Sequence, residues 1–281
     1  MGDILTLAFL IAFDEIPRFS AVLLVLSFLA TSIGFGRPPW FFGVGSGLAV
    51  AAMSIATILA YRHRLDVLAG VQLAILLLHA LRLSVFLITR ERKPAFSRQM
   101  LARHTARPMR LGRRALVWVA VSWLYFCMFS PALFATVDRV LLVRPVTIVL
   151  QVLGIAVMLA GFALEVVADS QKSLFKAYQP DACCYSGLYG WVRQPNHFGE
   201  LLFWTGNFIA GIGFYRSPMH YVLALTGLGG AAALLFFVAR RLEESRAKQY
   251  GGSPEYESYV ASVPVIIPWL PPRLFSPAPR D

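Results

Sequence analysis

Apolar runs of bilayer-spanning length alternate with polar breaks along most of this chain, and that alternation predicts a bundle of membrane helices. Seven runs stand out: Phe19 to Phe35, Phe41 to Ala60, Val67 to Leu87, Ala115 to Val137, Val146 to Val167, Phe198 to Tyr215 and Tyr221 to Ala239. They leave no room for a separate soluble domain. The expected fold is therefore all-α, a single membrane domain over 1–281 built from about seven transmembrane helices. Ile4 to Phe13 is apolar but too short to span, and Asp14, Glu15 and Pro17 follow it, so a short interfacial helix is expected there. A cleaved signal peptide is the competing reading, weakened because no basic residue precedes the run.

Two polar stripes interrupt this pattern, and both keep helical spacing. Glu165, Asp169, Lys172 and Lys176 follow one another at intervals of four, three and four, which places them on one face at the end of the fifth helix. In the sixth helix Pro195 suits the first turn, and Asn196, Glu200, Trp204 and Asn207 recur at four, four and three. Gly199, Gly206, Ala210 and Gly213 form a small-residue stripe beside them, which lets another helix approach closely. Each polar residue alone has an ordinary explanation, as a solvated ion pair or a carboxylate at a helix N-terminus. Two convergent stripes at the edge of a bilayer favour a functional cavity, because polar groups in such places are costly.

Composition agrees with lipid as the solvent: 57% of residues are hydrophobic and 15% charged, and the mean hydropathy is +0.62. Charge then sets the orientation. Between Arg90 and Arg114 lie Arg90, Arg92, Lys93, Arg98, Arg103, Arg107, Arg110, Arg113 and Arg114 against the single acid Glu91. The positive-inside rule places that loop in the cytoplasm. Alternation through the helices then puts 168–195 and the tail from Arg240 on the same side, so all three long polar segments meet on the cytoplasmic face. Topogenic charge and attraction to anionic lipid suffice to explain the basic loop, so it implies no nucleic-acid partner. Cys127, Cys183 and Cys184 offer neither a disulfide framework nor metal-site spacing.

The C-terminal residues resemble a known family. Asp169-Ser-Gln-Lys-Ser-Leu-Phe-Lys176, Gly187-Leu-Tyr, Arg193-Gln-Pro-Asn-His-Phe-Gly-Glu200 with Trp204, Glu243-Glu244, Tyr250, Tyr256, Tyr259 and Ile267-Pro-Trp269 are similar to the C-terminal half of the steroid 5α-reductase superfamily, in its bacterial-type branch. That resemblance implies a helix bundle with a cytoplasm-facing cofactor pocket that holds NADPH and reduces the carbon–carbon double bond of an enone on a lipophilic, steroid- or isoprenoid-like substrate. It implies that 1–114 forms the substrate side and 115–281 the cofactor side. Cofactor contacts would come from Glu165, Asp169, Lys172, Lys176, Tyr189, Arg193, Arg246, Tyr250 and Tyr259, with Asn196 and Glu200 at the nicotinamide. Glu165 stands where steroid reductases carry Asn, and Gln194 and His197 replace the His and Tyr of the hallmark segment.

The residues support this chemistry on their own terms. Lys172, Lys176, Arg193 and Arg246 offer cations to a dinucleotide phosphate, and Asn196 beside Glu200 offers donors and acceptors to a carboxamide. No Gly-x-Gly-x-x-Gly turn is present, so a nucleotide site here is non-Rossmann. Enone reduction also needs an acid at the carbonyl oxygen. Glu200, Tyr61, His79 and Arg82 are the catalytic candidates, with Tyr125 a further possible donor; Arg82 could equally snorkel to the interface.

Two other classes compete. Isoprenylcysteine carboxyl methyltransferases share an Arg-x-Pro segment after Gly-Leu-Tyr, a late Glu-Glu and a Tyr-rich tail, and would bind S-adenosylmethionine. A non-catalytic lipid-binding membrane protein is the third reading. Bacterial inner membrane and endoplasmic-reticulum-like membrane are both open as compartments.

Overall fold

The computed structural model describes residues 18–91, 109–138 and 144–269. The expected interfacial helix at Ile4 to Phe13, most of the basic loop after Arg90 and the end of the Pro-rich tail lie outside the described residues. Every regular element described is helical. In order these are α1 (Phe19–Thr31), two 3-10 turns (Ser32–Phe35 and Pro38–Phe41), α2 (Val44–Tyr61), α3 (Val67–Glu91) and α4 (Leu111–Val137). Then follow α5 (Pro145–Tyr178), α6 (Leu188–Trp191), α7 (Pro195–Ile212), α8 (Pro218–Tyr250) and α9 (Pro254–Ser262).

Five segments are long and apolar enough to cross a bilayer: Pro38–Tyr61, Val67–Arg90, Leu111–Val137, Pro145–Tyr178 and Pro218–Tyr250. This marks an integral membrane protein. Of the seven expected spans, Phe19–Phe35 is a shorter apolar helix, and α7 does not reach the same apolarity because its first turns carry Asn196, His197 and Glu200. At 34 residues α5 is about 51 Å long, against roughly 30 Å of hydrocarbon. Its polar end therefore has the length to stand clear of the lipid.

The described chain divides into two compact units, one within Met1–Ile155 and Asn207–Leu228, the other within Ala156–Gly206 and Gly229–Asp281. In the first unit, hydrogen bonds between helices replace the hydrophobic drive that lipid cannot supply. Ser27 Oγ donates to the Ser122 carbonyl at 2.8 Å, and the Thr31 and Ser122 hydroxyls pair at 2.7 Å. Gln72 donates to Asn207 at 2.9 Å while Asn207 donates to the Met128 carbonyl at 2.9 Å. Asn207 thus ends the sixth-helix stripe in a buried amide network.

The second unit carries the polar ends of α5, α7 and α8 together with α6 and α9. Its α5 and α7 cross at two glycines. A Cβ on Gly161 would stand 2.5 Å from the Gly199 carbonyl oxygen, and one on Gly199 would stand 2.7 Å from the Gly161 oxygen and 2.8 Å from the Glu165 nitrogen. Only glycine permits this approach, and it sets Glu165 against the start of α7. The chain after α9 then runs alongside the entry to α7, where Arg193 N–H donates to the Pro264 carbonyl and Gln194 N–H to the Val265 carbonyl, each at 2.8 Å.

Candidate functional site

The second unit gathers all eleven sequence-predicted cofactor residues. From α5 come Glu165 and Asp169, both buried, and the half-buried Lys172 and Lys176. Gly187, at φ +62°, turns the chain into α6 in a conformation that suits glycine. Gln171 on α5 caps that turn by accepting the Leu188 N–H at 3.0 Å. The turn delivers Tyr189 into the interior, where it is fully buried and lies under the Lys172 ammonium, 5.9 Å from the ring centroid.

At the centre is Glu243, which the stripes of α5 and α7 do not reveal. It is 1% exposed. It pairs with Arg193 Nη1, accepts from Gln194 Nε2 at 2.9 Å and from Arg246 Nη1 at 3.2 Å. Arg246 also donates to the Arg193 carbonyl at 3.1 Å. A carboxylate serving two guanidinium groups and an amide removes the penalty of burying Arg193, whose side chain is otherwise sealed from water. The sequence signal for it is a third helical stripe, Ala239, Glu243, Arg246 and Tyr250 at four, three and four.

Other predicted contacts are committed to the protein. Lys176 donates to the Pro180 and Ala182 carbonyls at 2.8 and 2.7 Å and to the Tyr250 hydroxyl at 3.0 Å. Two of its three N–H donors hold the 180–182 loop and the third is spent on Tyr250. Tyr259 donates to the Tyr189 carbonyl at 2.6 Å. Ser253 caps α9 by accepting the Tyr256 N–H at 3.3 Å, with Pro254 in the first turn, and so fixes the face that presents Tyr259. Burial raises the pKa of the Tyr189 and Tyr259 phenols well above their ordinary range, so both stay neutral donors.

Around the entry to α7, buried atoms have no hydrogen-bond partner: Gln194 Oε1, Asn196 Oδ1 and His197 Nδ1. Burial first, then the positive Lys172 and Arg246, push the His197 imidazole down to about 4, with Glu165 opposing. His197 is therefore neutral near pH 7. Asn196, Glu200, Lys172 and Arg246 are each half-buried, so this acceptor-rich, cation-flanked group reaches the protein surface.

The proposed proton donors belong to the first unit. Tyr61 ends α2 with its ring edge-on to Phe19 at 5.6 Å. His79 is buried on α3, and the Arg82 guanidinium lies 5.6 Å from the Phe86 ring centroid, one turn along the same helix. Tyr125 donates to the Phe41 carbonyl at 2.8 Å, which occupies the proton it would have to give.

A family model of proteins of unknown function matches residues 41–263, well over half of the chain. The chain belongs to the DUF1295 family. No curated protein and no solved structure matches it. The DUF1295 match takes in every candidate residue from Tyr61 to Tyr259 and leaves α1 outside. Among the described residues of this DUF1295 protein, no group of three or more His, Cys, Asp or Glu side chains could hold a metal ion.

The donor set fits a dinucleotide in part. Lys172 and Arg246 border the site and suit phosphate, and Asn196 and Glu200 suit a carboxamide. Arg193 and Lys176 do not fit as phosphate ligands: Arg193 is enclosed with Glu243, and Lys176 is spent on backbone carbonyls.

Proposed function

We propose that this DUF1295 protein is an NADPH-dependent membrane reductase of the steroid 5α-reductase type, acting on the activated C=C bond of a lipophilic enone. The observation that carries the reading is the group of buried, unpartnered acceptors at Gln194, Asn196 and His197, flanked by Lys172 and Arg246. Buried polar atoms are nearly always satisfied, and those that are not ask for a ligand or water. The hallmark-like segment from Arg193 to Glu200 and the order of the motifs around it add the family resemblance.

When bound, NADPH supplies the hydride that adds to one carbon of the double bond, and a proton completes the other. The protein's own work is to bind, orient and exclude water. Lys172 and Arg246 offset phosphate charge; Asn196 and Glu200 orient the nicotinamide end. Glu243 fixes Arg193, Gln194 and Arg246 in place, so the entry to α7 is held rigid before any ligand arrives. Tyr61, His79 and Arg82 remain the candidates to stabilise charge on the substrate oxygen, and Tyr125 is dropped. The positive-inside rule places the site on the cytoplasmic side, where NADPH is found.

Calorimetric titration of the purified protein in detergent with NADPH, NADH and S-adenosylmethionine tests the reading. NADPH is expected to bind more tightly than NADH, with no response to S-adenosylmethionine. Binding of S-adenosylmethionine without NADPH would replace the reductase by a methyltransferase of the isoprenylcysteine carboxyl type. A lipid-binding protein without catalysis would respond to none of the three.

A further inference from the structure

The segment that follows α9 lies where three helices change from apolar to charged. Val265 and Ile266, both buried, pack with Phe198 of α7 and Ala239 of α8, and Leu164 of α5 lies against them. Each of these helix residues stands at a transition: Leu164 precedes Glu165, Phe198 follows Asn196 and His197, and Ala239 precedes Arg240 and Arg241. In a chain that spans a bilayer, such transitions mark the boundary between hydrocarbon and headgroups. Arg241 fits that level. Its guanidinium lies 5.6 Å from the ring centroid of Phe237, which is 59% exposed, as a cation snorkelling from a lipid-facing surface does.

Two indoles stand exposed beside this boundary. Trp191, at the end of α6, is 50% exposed and Trp269 is 76% exposed, while Phe198 between them is buried. Both meet Phe198 edge-on, at ring-centroid distances of 5.7 and 6.1 Å. An indole is apolar over most of its surface yet carries one N–H donor. Water serves the ring poorly and hydrocarbon strands the N–H, so the headgroup layer suits both. We propose that 264–269 is an interfacial anchor in which Trp269, with Trp191 on the other side of Phe198, seats in the headgroup layer of the bilayer. The level at which these rings stand favours lipid over a second copy of this chain as what covers them.

The anchor bears directly on the entry to α7. The same segment accepts the Arg193 N–H on the Pro264 carbonyl and the Gln194 N–H on the Val265 carbonyl, each at 2.8 Å. No carbonyl within α7 can serve these two donors. Seating Trp269 in the lipid therefore holds the start of α7 from outside the protein, whatever ligand the site takes.

Tryptophan emission from the full chain in lipid nanodiscs tests the anchor. The contribution of Trp269 is the difference between the wild type and Trp269→Phe, which keeps an aromatic ring against Phe198. That contribution should be quenched more by lipids brominated high on the acyl chain, beside the ester groups, than by lipids brominated near the chain ends, and only weakly by aqueous iodide. Strong iodide quenching without lipid quenching would put Trp269 in water. Quenching by neither would put it under protein, such as a second copy of the chain, and stronger quenching from the chain ends would put it in hydrocarbon; each of these results overturns the anchor. In Trp269→Ser, the amides of Arg193 and Gln194 should exchange with deuterium several-fold faster than in the wild type, both in nanodiscs. Unchanged exchange would overturn the hold on α7.

Discussion

His197 gives the site its dependence on pH. Its folded-state value, about 4 against an ordinary 6.5, is depressed, so the unfolded chain binds the extra proton between those two values. Stability is fully present above about pH 6.5 and is lost as pH falls toward 4, by on the order of 3 kcal/mol at most. The apparent melting temperature in detergent should drop over that window, and the drop should shrink in His197→Phe; an unchanged pH profile in the variant would assign the effect elsewhere. Glu243 is the second decisive residue. Glu243→Ala leaves the Arg193 charge buried without its carboxylate, at a cost of about 3–5 kcal/mol. Thermal unfolding should show a large loss, smaller in Glu243→Gln, which keeps an acceptor. The sequence made the polar character of Glu165, Asp169, Asn196 and Glu200 visible through helical spacing. It hid the role of Glu243, because one acid in a charged helix end reads as solvated until its three partners are seen. For Lys176 the spacing pointed toward the ligand, but the acceptors it meets are the carbonyls of its own downstream loop, which no periodicity encodes.

At the scale of elements, the close crossing of α5 and α7 sets the site. Gly161→Val or Gly199→Val would drive a side chain into the facing backbone, at a cost of about 1–3 kcal/mol or more, and should lower both melting temperature and NADPH affinity. Gly229 supplies the contrast: nothing lies within 4 Å of a Cβ built there, so Gly229→Ala in the interior of α8 should be neutral or stabilising by up to about 1 kcal/mol. Equal damage from all three would show that the close crossing is not what Gly161 and Gly199 serve. The helices themselves were legible from hydropathy, since each of the seven expected runs falls on a helix. The count of spans was less so. α7 combines apolar length with a polar first turn, and α1 is short, so length and hydropathy separate five helices from these two. The small-residue stripe in α7 announced a close approach, while its partner at Gly161 lay in a run with no visible reason to choose that position.

At the scale of the molecule, the proposed chemistry belongs to one face of the bilayer. Helices α5 and α8, of 34 and 33 residues, exceed the hydrocarbon by about 20 Å each, and both place their charged ends in the unit that holds Asn196 and Glu200. A cysteine introduced at Arg98 in a cysteine-free background should react with a membrane-impermeant maleimide only after the cytoplasmic side is opened. Labelling from the opposite side would reverse the orientation and remove the site from the NADPH pool. The division into two units was not legible in the sequence, because three helices, α5, α7 and α8, each contribute to both and no linker marks the boundary.

The central claim is that the polar entry to α7 exists for a ligand and not for the fold. Asn196 Oδ1 has no partner in the protein, so Asn196→Ala removes a buried unsatisfied atom and should leave the melting temperature unchanged or slightly higher. The same variant, titrated with NADPH beside the wild type, should lose binding by tenfold or more, on the order of 1.4 kcal/mol. Loss of affinity with stability retained is the predicted result; undiminished NADPH binding by a stable Asn196→Ala protein would contradict it.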